Sequence, residues 1–297
     1  MPHRLAELLN DKTVIFDGGL GSMLIAAGLP AGESPEAWNL QRPDAVAEVH
    51  RRYYAAGADV VHTNSFGANP IRLADRGLQE RAREINRCAA EIARSACPQG
   101  RLVAGDIGPT GKMLQPFGEL DPQAAEAAFR LQAAALLEAG VDLISIETMF
   151  SLGEALLALK AAKSAGAPYV VASLTFTRSP RGFYTMMGDA IAQAVQALES
   201  AGADAIGSNC GLGSADMVDL AAALRAATQR PILVQPNAGR PETEGDRTVY
   251  RQAPAEFAAD GLRIKAAGAD MLGGCCGTTP EFIHALAESV AWKVMPG

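Results

Sequence analysis

The amino-acid sequence predicts an α/β protein made of a single (β/α)8 barrel, a TIM-type barrel, over residues 1–297. Eight short apolar runs are typical of parallel strands buried on both faces, and helical patterns fill the gaps between them. A chain of 297 residues also suits eight β/α units. An open doubly wound sheet is the main alternative, but no Gly-x-Gly-x-x-Gly turn follows the first strand. No linker or break in composition divides the chain, so we predict one domain.

The predicted strands follow one another from residue 13 to residue 272. They comprise residues 13–16, 60–61, 102–104, 143–146, 169–174, 205–206, 232–235 and 271–272. Three of the intervening helices have clear patterns, over residues 121–139, 151–165 and 216–228. Asp121 is expected to cap the first of them, with Pro122 in its first turn. Residues 239–254, which are rich in proline and charge, are expected to form an elaborated loop after the seventh strand.

A repeated tetrapeptide marks the junctions between helices and strands. The sequence Ala-Gly-(Ala/Val)-Asp occurs at residues 56–59, 139–142, 201–204 and 267–270, and a fifth copy at 165–168 ends in proline. Each copy ends an amphipathic stretch and begins an apolar run. Glycine suits the position just after a helix because it accepts a positive φ angle. The repeat therefore indicates successive helix-turn-strand units.

Charge and hydropathy exclude several classes of partner. The formal net charge is −7, whereas nucleic acids and anionic membranes select basic surfaces. No apolar run approaches the ~18–20 residues that span a bilayer. The first residues lack the pattern of a signal peptide. We therefore expect a cytoplasmic protein with no membrane or nucleic-acid partner.

Polar residues follow the predicted strands. In a (β/α)8 barrel the carboxyl ends of all strands meet at one rim, where functional side chains collect. The segments expected at this rim are residues 17–19, 62–66, 105–110, 147–148, 175–177, 208–211, 235–239 and 273–279. The fold thus brings together residues that lie far apart in the chain.

Three of the five cysteines belong to these rim segments. Cys210 ends the sixth strand, and Cys275 and Cys276 end the eighth, so the three thiols can converge. Three thiolates favour zinc over magnesium or calcium and leave a fourth position open for exchange. Cys88 and Cys97 lie in or after the helix that follows the second strand and are expected to be structural.

Other interpretations of the three rim cysteines are weaker. They could be small buried residues, or Cys275 and Cys276 could form a disulfide, whereas an iron–sulfur cluster usually needs four cysteines. Glycines flank the adjacent pair at positions 273, 274 and 277, which implies an unusual backbone geometry. The odd number of cysteines also favours metal chemistry in a reducing compartment over a disulfide framework.

An open zinc site with thiolate ligands suits the activation of a thiol substrate, because the metal favours the deprotonated sulfur at neutral pH. Asp17 and Glu147 could pair with an α-amino group. The turn at Gly18 and Gly19 could present backbone N–H groups to a carboxylate. Asp17 could instead cap a helix, whereas a buried carboxylate such as Glu147 needs a partner. Two roles are open for Asp106: it could form hydrogen bonds within its loop, or it could contact the substrate.

The segment after the second strand adds further candidates. Thr63 and Asn64 are expected to line the substrate site. His62 is the only histidine expected near the rim.

Together these motifs resemble the homocysteine S-methyltransferase family over roughly residues 10–290. The likeness is greatest to the homocysteine-binding module of cobalamin-dependent methionine synthase. The motifs that carry it are Asp17-Gly18-Gly19, residues 63–68, residues 105–111, Glu147-Thr148, Asn209-Cys210, residues 236–239 and residues 273–280.

The resemblance implies a (β/α)8 barrel with Zn2+ on Cys210, Cys275 and Cys276. It implies that Asn237 fills the fourth position before homocysteine displaces it, and that Asp17 and Glu147 hold the homocysteine amino group. Betaine-specific members have an aromatic-rich segment after the second strand. Gly67 stands where a tyrosine would be expected, which weakens the betaine interpretation because a quaternary ammonium favours an aromatic cage.

The predicted function is therefore zinc-dependent methylation of homocysteine to methionine. The chain ends after the homocysteine module, so we expect the donor to be a small methyl compound or a methyl-corrinoid protein acting in trans. One alternative is a methyltransferase for another thiol or for a corrinoid acceptor in a demethylation system. Another is a zinc-stabilised, non-enzymatic subunit that docks a corrinoid protein. The sequence does not determine the oligomeric state, and a homo-oligomer is one of the alternatives.

Overall fold

The computed structural model describes residues 3–30, 32–245 and 247–292. Eight parallel strands form the predicted barrel, in the order β1-β8-β7-β6-β5-β4-β3-β2. A backbone bridge between Phe16 and Val60 completes the ring between the two ends of this order. The strands are β1 (Val14–Ile15), β2 (Val60–His62), β3 (Leu102–Ile107), β4 (Leu143–Met149), β5 (Val170–Leu174), β6 (Ala205–Gly213), β7 (Ile232–Asn237) and β8 (Met271–Leu272).

The helices surround this ring. They are α1 (Arg4–Asp11), α2 (Leu20–Ala26), α3 (Trp38–Gln41), α4 (Pro43–Ala55), α5 (Pro70–Ala74), α6 (Ala82–Ala96), α7 (Pro122–Glu138), α8 (Leu152–Ser164), α9 (Ile191–Ser200), α10 (Ser214–Ala227), α11 (Pro254–Ala266) and α12 (Pro280–Trp292). Short 3-10 turns lie at Pro35–Ala37 and Gln79–Arg81. In the described part of the chain, no helix combines the length and apolar character needed to cross a membrane.

The side chain of Asp121 caps α7, as predicted, and that of Ser151 caps α8. Two antiparallel hairpins are additional: Thr177–Ser179 pairs with Gly182–Tyr184, and Glu242–Glu244 pairs with Arg247–Val249. The second hairpin lies inside the segment predicted as an irregular loop. Its first strand is fully exposed, so it has no apolar face that a sequence pattern could reveal.

The barrel interior is filled mainly at its amino-terminal end. Val14, Leu102, Leu143 and Leu233 belong to one buried cluster, and Leu5 from α1 packs into the same cluster. A second and larger cluster lies between the strands and the outer helices. Because α1 closes the amino-terminal end, the carboxyl ends of the strands are left for a binding site.

The aspartates of the repeated tetrapeptide join neighbouring strands at that closed end. Each Oδ2 accepts a backbone N–H from a residue of the adjacent strand. The donors are Ile15 to Asp59 (3.0 Å), Val103 to Asp142 (2.7 Å), Val170 to Asp204 (2.8 Å) and Ile232 to Asp270 (2.8 Å). Each carboxylate also pairs with a basic side chain: Lys12, Arg94, Lys163 and Arg225, respectively. The repeat is therefore structural, and its position opposite the rim fits a role in stability.

We expect Asp59→Asn to lower the free energy of unfolding by about 2–3 kcal/mol, because it removes a buried charge that faces Lys12 and Arg101. The Asp59 side chain is 3% exposed, whereas that of Asp270 is 44% exposed. The matched change Asp270→Asn should cost no more than about 1 kcal/mol because water screens that pair. Urea unfolding followed by circular dichroism measures both losses. Equal losses would contradict this interpretation.

Candidate metal and substrate site

Three thiols meet at the rim of the barrel. The Sγ atoms of Cys210, Cys275 and Cys276 all lie within 4.8 Å of one another, and those of Cys210 and Cys276 are 3.9 Å apart. A tetrahedral ion with a Zn–S distance of about 2.3 Å separates two of its sulfur ligands by about 3.8 Å. The spacing and the donor type therefore fit a zinc ion on three protein ligands. Cys88 and Cys97 lie in α6 and at its end, as the sequence predicts.

Irregular backbone places these sulfurs. Cys210 has a positive φ of 61°, and the pairing between β6 and β7 shifts register between Asn209 and Gly213. This bulge turns the end of β6 toward the segment that follows β8. A Cβ at Gly274 would lie 2.3 Å from Oγ1 of Thr278, so only glycine fits immediately before the cysteine pair.

The three sulfurs share charge. Hydrogen bonds from the thiols of Cys275 and Cys276 lower the pKa of Cys210. The hydrogen bond to Cys210 in turn raises the pKa of Cys276. Without a cation, the three sulfurs therefore oppose one another's ionisation. A bound cation is what would stabilise three thiolates at this spacing.

Asn237 lies beside the sulfurs but its carbonyl oxygen is occupied. Oδ1 accepts the backbone N–H of Cys276 at 3.1 Å, and the residue is 2% exposed. Its role as a fourth ligand therefore stays a prediction. The sequence analysis missed Tyr250. A Cβ atom added at Gly277 would lie 2.5 Å from the ring of Tyr250, so this ring packs directly against the glycine. It belongs to the segment predicted as a loop, where no pattern marked it.

A cavity of about 270 Å³ opens next to the cysteines. Most of the predicted substrate residues line it: Gly18, Gly19, Thr63, Asn64, Asp106, Glu147, Cys210, Cys275 and Cys276. Gln235, from the rim segment predicted after the seventh strand, also lines it, whereas the sequence analysis missed Pro35 and Glu36. Pro35 and Glu36 come from a 3-10 turn between β1 and β2, and no rim motif pointed to that turn.

Asp17 is arranged differently from the prediction. It is fully buried, and both its carboxylate oxygens contact His62, at 2.6 Å from Nδ1 and 2.9 Å from the backbone nitrogen. Asp17 does not line the cavity, whereas His62 does. The imidazole therefore lies between Asp17 and the cavity, and the contact of Asp17 with a substrate amino group stays a prediction. It does not cap α2 either, because the residue at that position is Gly19.

Two other carboxyl groups have a buried oxygen whose hydrogen bonding is incomplete. Oδ1 of Asp106 and Oε1 of Glu147 are buried without a hydrogen-bond partner in the described part of the chain. His62 Nε2 lies 3.0 Å from Oε1 of Glu147, within ion-pair range, but its hydrogen bond goes to Oγ of Ser145 at 3.2 Å. Buried oxygens without a partner are costly, so both point to a ligand that donates hydrogen bonds.

The charges around the cavity favour a cation. Burial lowers the pKa of His62, but the carboxylates of Glu147 and Asp17 outweigh burial and raise this pKa well above its usual value. Burial, with the nearby charge of Glu147, raises the pKa of Asp106 well above its usual range. The imidazole of His62 thus lies between the carboxyl groups of Asp17 and Glu147, and Asp106 adds a third carboxyl group to the same wall. An acidic wall of this kind suits an ammonium group.

The remaining predicted residues shape the wall of the cavity. Oγ1 of Thr63 accepts the backbone N–H of Asp106 at 3.0 Å, and Asn64 donates to Asn39 and Pro35 at 2.9 and 2.7 Å. Gly19 donates its N–H to Oγ1 of Thr278 at 3.0 Å, so this N–H is not free for a substrate carboxylate, in contrast to the prediction. The first turn of α2, with Leu20 and Gly21, also lines the cavity and provides further backbone N–H groups.

Comparisons with known proteins agree with this geometry. Residues 14–290 match the family model described as homocysteine S-methyltransferase. The chain is 32% identical over 304 residues to proteins named methionine synthase from Mycobacterium leprae and Mycobacterium tuberculosis. These alignments cover 97% of this chain but only 25% of those proteins, so the chain spans about a quarter of their length.

Solved structures show the same likeness. The crystal structure of the homocysteine methyltransferase MmuM from Escherichia coli, in its metallated form, superposes with a TM-score of 0.80 and 28% identity, covering 96% of this chain and 99% of that chain. Its oxidized form gives the same TM-score and identity, with 97% and 99% coverage. The carboxyl transferase domain of Rhizobium etli pyruvate carboxylase, at 16% identity and a TM-score of 0.55, shares the fold alone. On the family match and these relatives, the chain belongs to the homocysteine S-methyltransferase family.

Proposed function

We propose that this protein is a zinc-dependent S-methyltransferase that converts homocysteine to methionine. The observation that carries the proposal is a small cavity with three converging thiols on one wall and unsatisfied buried carboxyl oxygens on another. A thiol amino acid matches both walls, because its sulfur fits the metal site and its ammonium group fits the carboxyl groups. The family match and the relatives named for homocysteine methylation support this acceptor.

The substrate backbone is held at the side of the cavity away from the cysteines. Glu147 and Asp106 accept the ammonium group with the oxygens that are unsatisfied in the structure. Asp17 acts through His62, because it fixes the imidazolium that borders Glu147. Backbone N–H groups in the first turn of α2 receive the substrate carboxylate.

Cys210, Cys275 and Cys276 would hold zinc, and Asn237 would be its fourth ligand until the substrate arrives. Zinc on three thiolates lowers the pKa of a substrate thiol and keeps its sulfur nucleophilic at neutral pH. The thiol proton leaves on binding. The sulfur then attacks the methyl carbon in line, so that a C–S bond forms while the bond from the methyl to its carrier breaks and its electron pair stays with the carrier. The protein contributes orientation and the exclusion of water.

The methyl donor in this proposal is a small methyl compound or a methyl-corrinoid protein. Both classes place an electrophilic carbon at the open side of the cavity. The relatives named methionine synthase support no choice between them, because the chain covers 25% of their length.

A methyl-transfer assay tests the function. Zinc-loaded protein is incubated with homocysteine and, in turn, S-methylmethionine, S-adenosylmethionine, betaine or methylcobalamin, and methionine is quantified by mass spectrometry. We expect methionine with at least one donor and little product with betaine, since the segment at Gly67 lacks the aromatic cage. A parallel panel of other thiols identifies the alternative acceptor. Turnover of another thiol without turnover of homocysteine would refute the proposal.

A further inference from the structure

A buried carboxamide joins the two walls of the cavity. Asn209 is fully buried at the start of the irregular part of β6. Its Oδ1 accepts the backbone N–H of Thr148 at 2.7 Å, and its Nδ2 donates to Oγ1 of Thr148 at 2.7 Å and to Sγ of Cys275 at 3.7 Å. The amide therefore contacts both the strand that carries Glu147 and a sulfur of the metal site.

The orientation of this amide is set by its partners. A backbone N–H can only donate, so the oxygen of Asn209 must face Thr148. The NH2 group then faces the hydroxyl of Thr148 and the sulfur of Cys275, and both of its hydrogens are used. Because the contact delivers a hydrogen to the sulfur, it restrains the direction in which Sγ of Cys275 points.

Thr148 adopts a backbone conformation that depends on this contact. Its φ is 55°, in the left-handed region that threonine rarely occupies, and the pairing of β4 with β5 shifts register between Ile146 and Met149. Such a conformation persists only where the surroundings determine it. The two hydrogen bonds between Asn209 and Thr148 provide that support, and Thr148 directly follows Glu147 in the chain.

We propose that Asn209 is a positioning residue that couples the carboxyl group holding the substrate to the thiol holding the metal. This inference rests on the proposed function. The amide stabilises the left-handed turn that aims Glu147 into the cavity, and the same amide orients Sγ of Cys275 toward the ion. The two walls are thereby kept in one relative geometry, which a thiol amino acid needs in order to reach both.

The affinity for zinc tests the coupling without any methyl transfer. Competition with a chromophoric chelator should show about 10–100-fold weaker binding in Asn209→Ala, the usual loss for a residue that orients a ligand. Asn86→Ala is the matched control, because Asn86 is also fully buried and donates two hydrogen bonds, but only to the backbone carbonyls of Ala68 and Ala82. Its zinc affinity should equal that of the parent protein.

Thr148→Val is the second variant, and it keeps the inference testable if Asn209→Ala folds poorly. Thr148 makes no hydrogen bond to a sulfur in the described part of the chain. The loss of its hydroxyl removes one of the two acceptors of the Asn209 NH2 group, while the backbone N–H of residue 148 still holds Oδ1, so zinc affinity should fall severalfold. The double variant Asn209→Ala/Thr148→Val should bind zinc no more weakly than Asn209→Ala alone, because both changes disrupt the same hydrogen-bond network. Additive losses, or unchanged affinity in Asn209→Ala, would overturn the proposal.

A spectroscopic readout separates positioning from general destabilisation. In the Co2+-substituted protein, the thiolate-to-metal charge-transfer band should shift in Asn209→Ala and stay unchanged in Asn86→Ala, and KM for homocysteine should rise only in the former. If the parent protein does not methylate homocysteine, the proposed function fails. The zinc affinities and the band still decide whether Asn209 couples the two walls.

Discussion

Replacing Cys275 with alanine is expected to abolish both metal binding and methyl transfer. Two sulfurs remain in Cys275→Ala, and the cluster loses the thiol that receives the amide of Asn209. Zinc sites with four protein ligands bind with about 10–16 kcal/mol, or roughly 3 kcal/mol per ligand, so affinity should fall by at least about a hundredfold. Metal content per chain, measured by atomic emission after dialysis, and methionine formation report the two losses.

Cys88→Ala is the control for this variant. Cys88 is also partly buried, but it lies in the outer helix α6 and outside the cluster of three sulfurs. It should keep both its metal and its activity. A Cys275→Ala protein that is metal-free and fully active would show that the three thiols do not form the catalytic site.

The fold could be predicted because barrel strands have a simple sequence pattern. Strands buried on both faces appear as short apolar runs, and the tetrapeptide that ends in aspartate recurs where one strand bonds to the next. The hairpins at Thr177–Ser179 and Glu242–Glu244 escaped prediction for the opposite reason. They are short and mostly exposed, so no buried face imposes a pattern on their residues.

The sulfur cluster was predictable from topology alone. Cys210 and Cys276 are far apart in the chain, but parallel strands end at one rim, so their convergence needs only the strand assignment. The contacts behind the cavity wall needed coordinates. Asp17 contacts His62 because of the register at the junction of β1 and β2. Asn209 forms hydrogen bonds with Thr148, which adopts a left-handed backbone conformation although it is not glycine. No local sequence pattern predicts that conformation.

Glu147→Gln is expected to raise KM for homocysteine by at least about thirtyfold with little change in kcat. The variant keeps the shape of the side chain but removes the charge that faces the ammonium group. The loss of a buried charge partner costs about 2–5 kcal/mol, and the lower value corresponds to about thirtyfold. Zinc affinity should stay unchanged, because Glu147 is not one of the residues that surround the metal site. Steady-state kinetics with zinc-loaded protein provides both constants.

Asp106→Asn is the matched control among the carboxyl groups. Burial, together with the nearby charge of Glu147, raises the pKa of Asp106 well above its usual value, so this carboxyl group favours its neutral form more than an exposed aspartate does. Asparagine has nearly the same shape as that neutral form, and KM should change by no more than about fivefold, in line with the small cost of exchanging neutral hydrogen-bonding groups. A loss as large as that of Glu147→Gln would mean that Asp106 carries the charge.

A substrate without the amino group shows whether Glu147 acts through that group. With the parent protein, kcat/KM should be lower for 4-mercaptobutyrate than for homocysteine. The factor should be about the same as that by which Glu147→Gln lowers kcat/KM for homocysteine. In the variant, the same exchange of substrate should cost little further, because the interaction is already absent. Independent and additive losses would place the ammonium group elsewhere in the cavity. The sulfur would still be activated by the metal, but the unsatisfied oxygen of Glu147 would then need a different ligand to explain it.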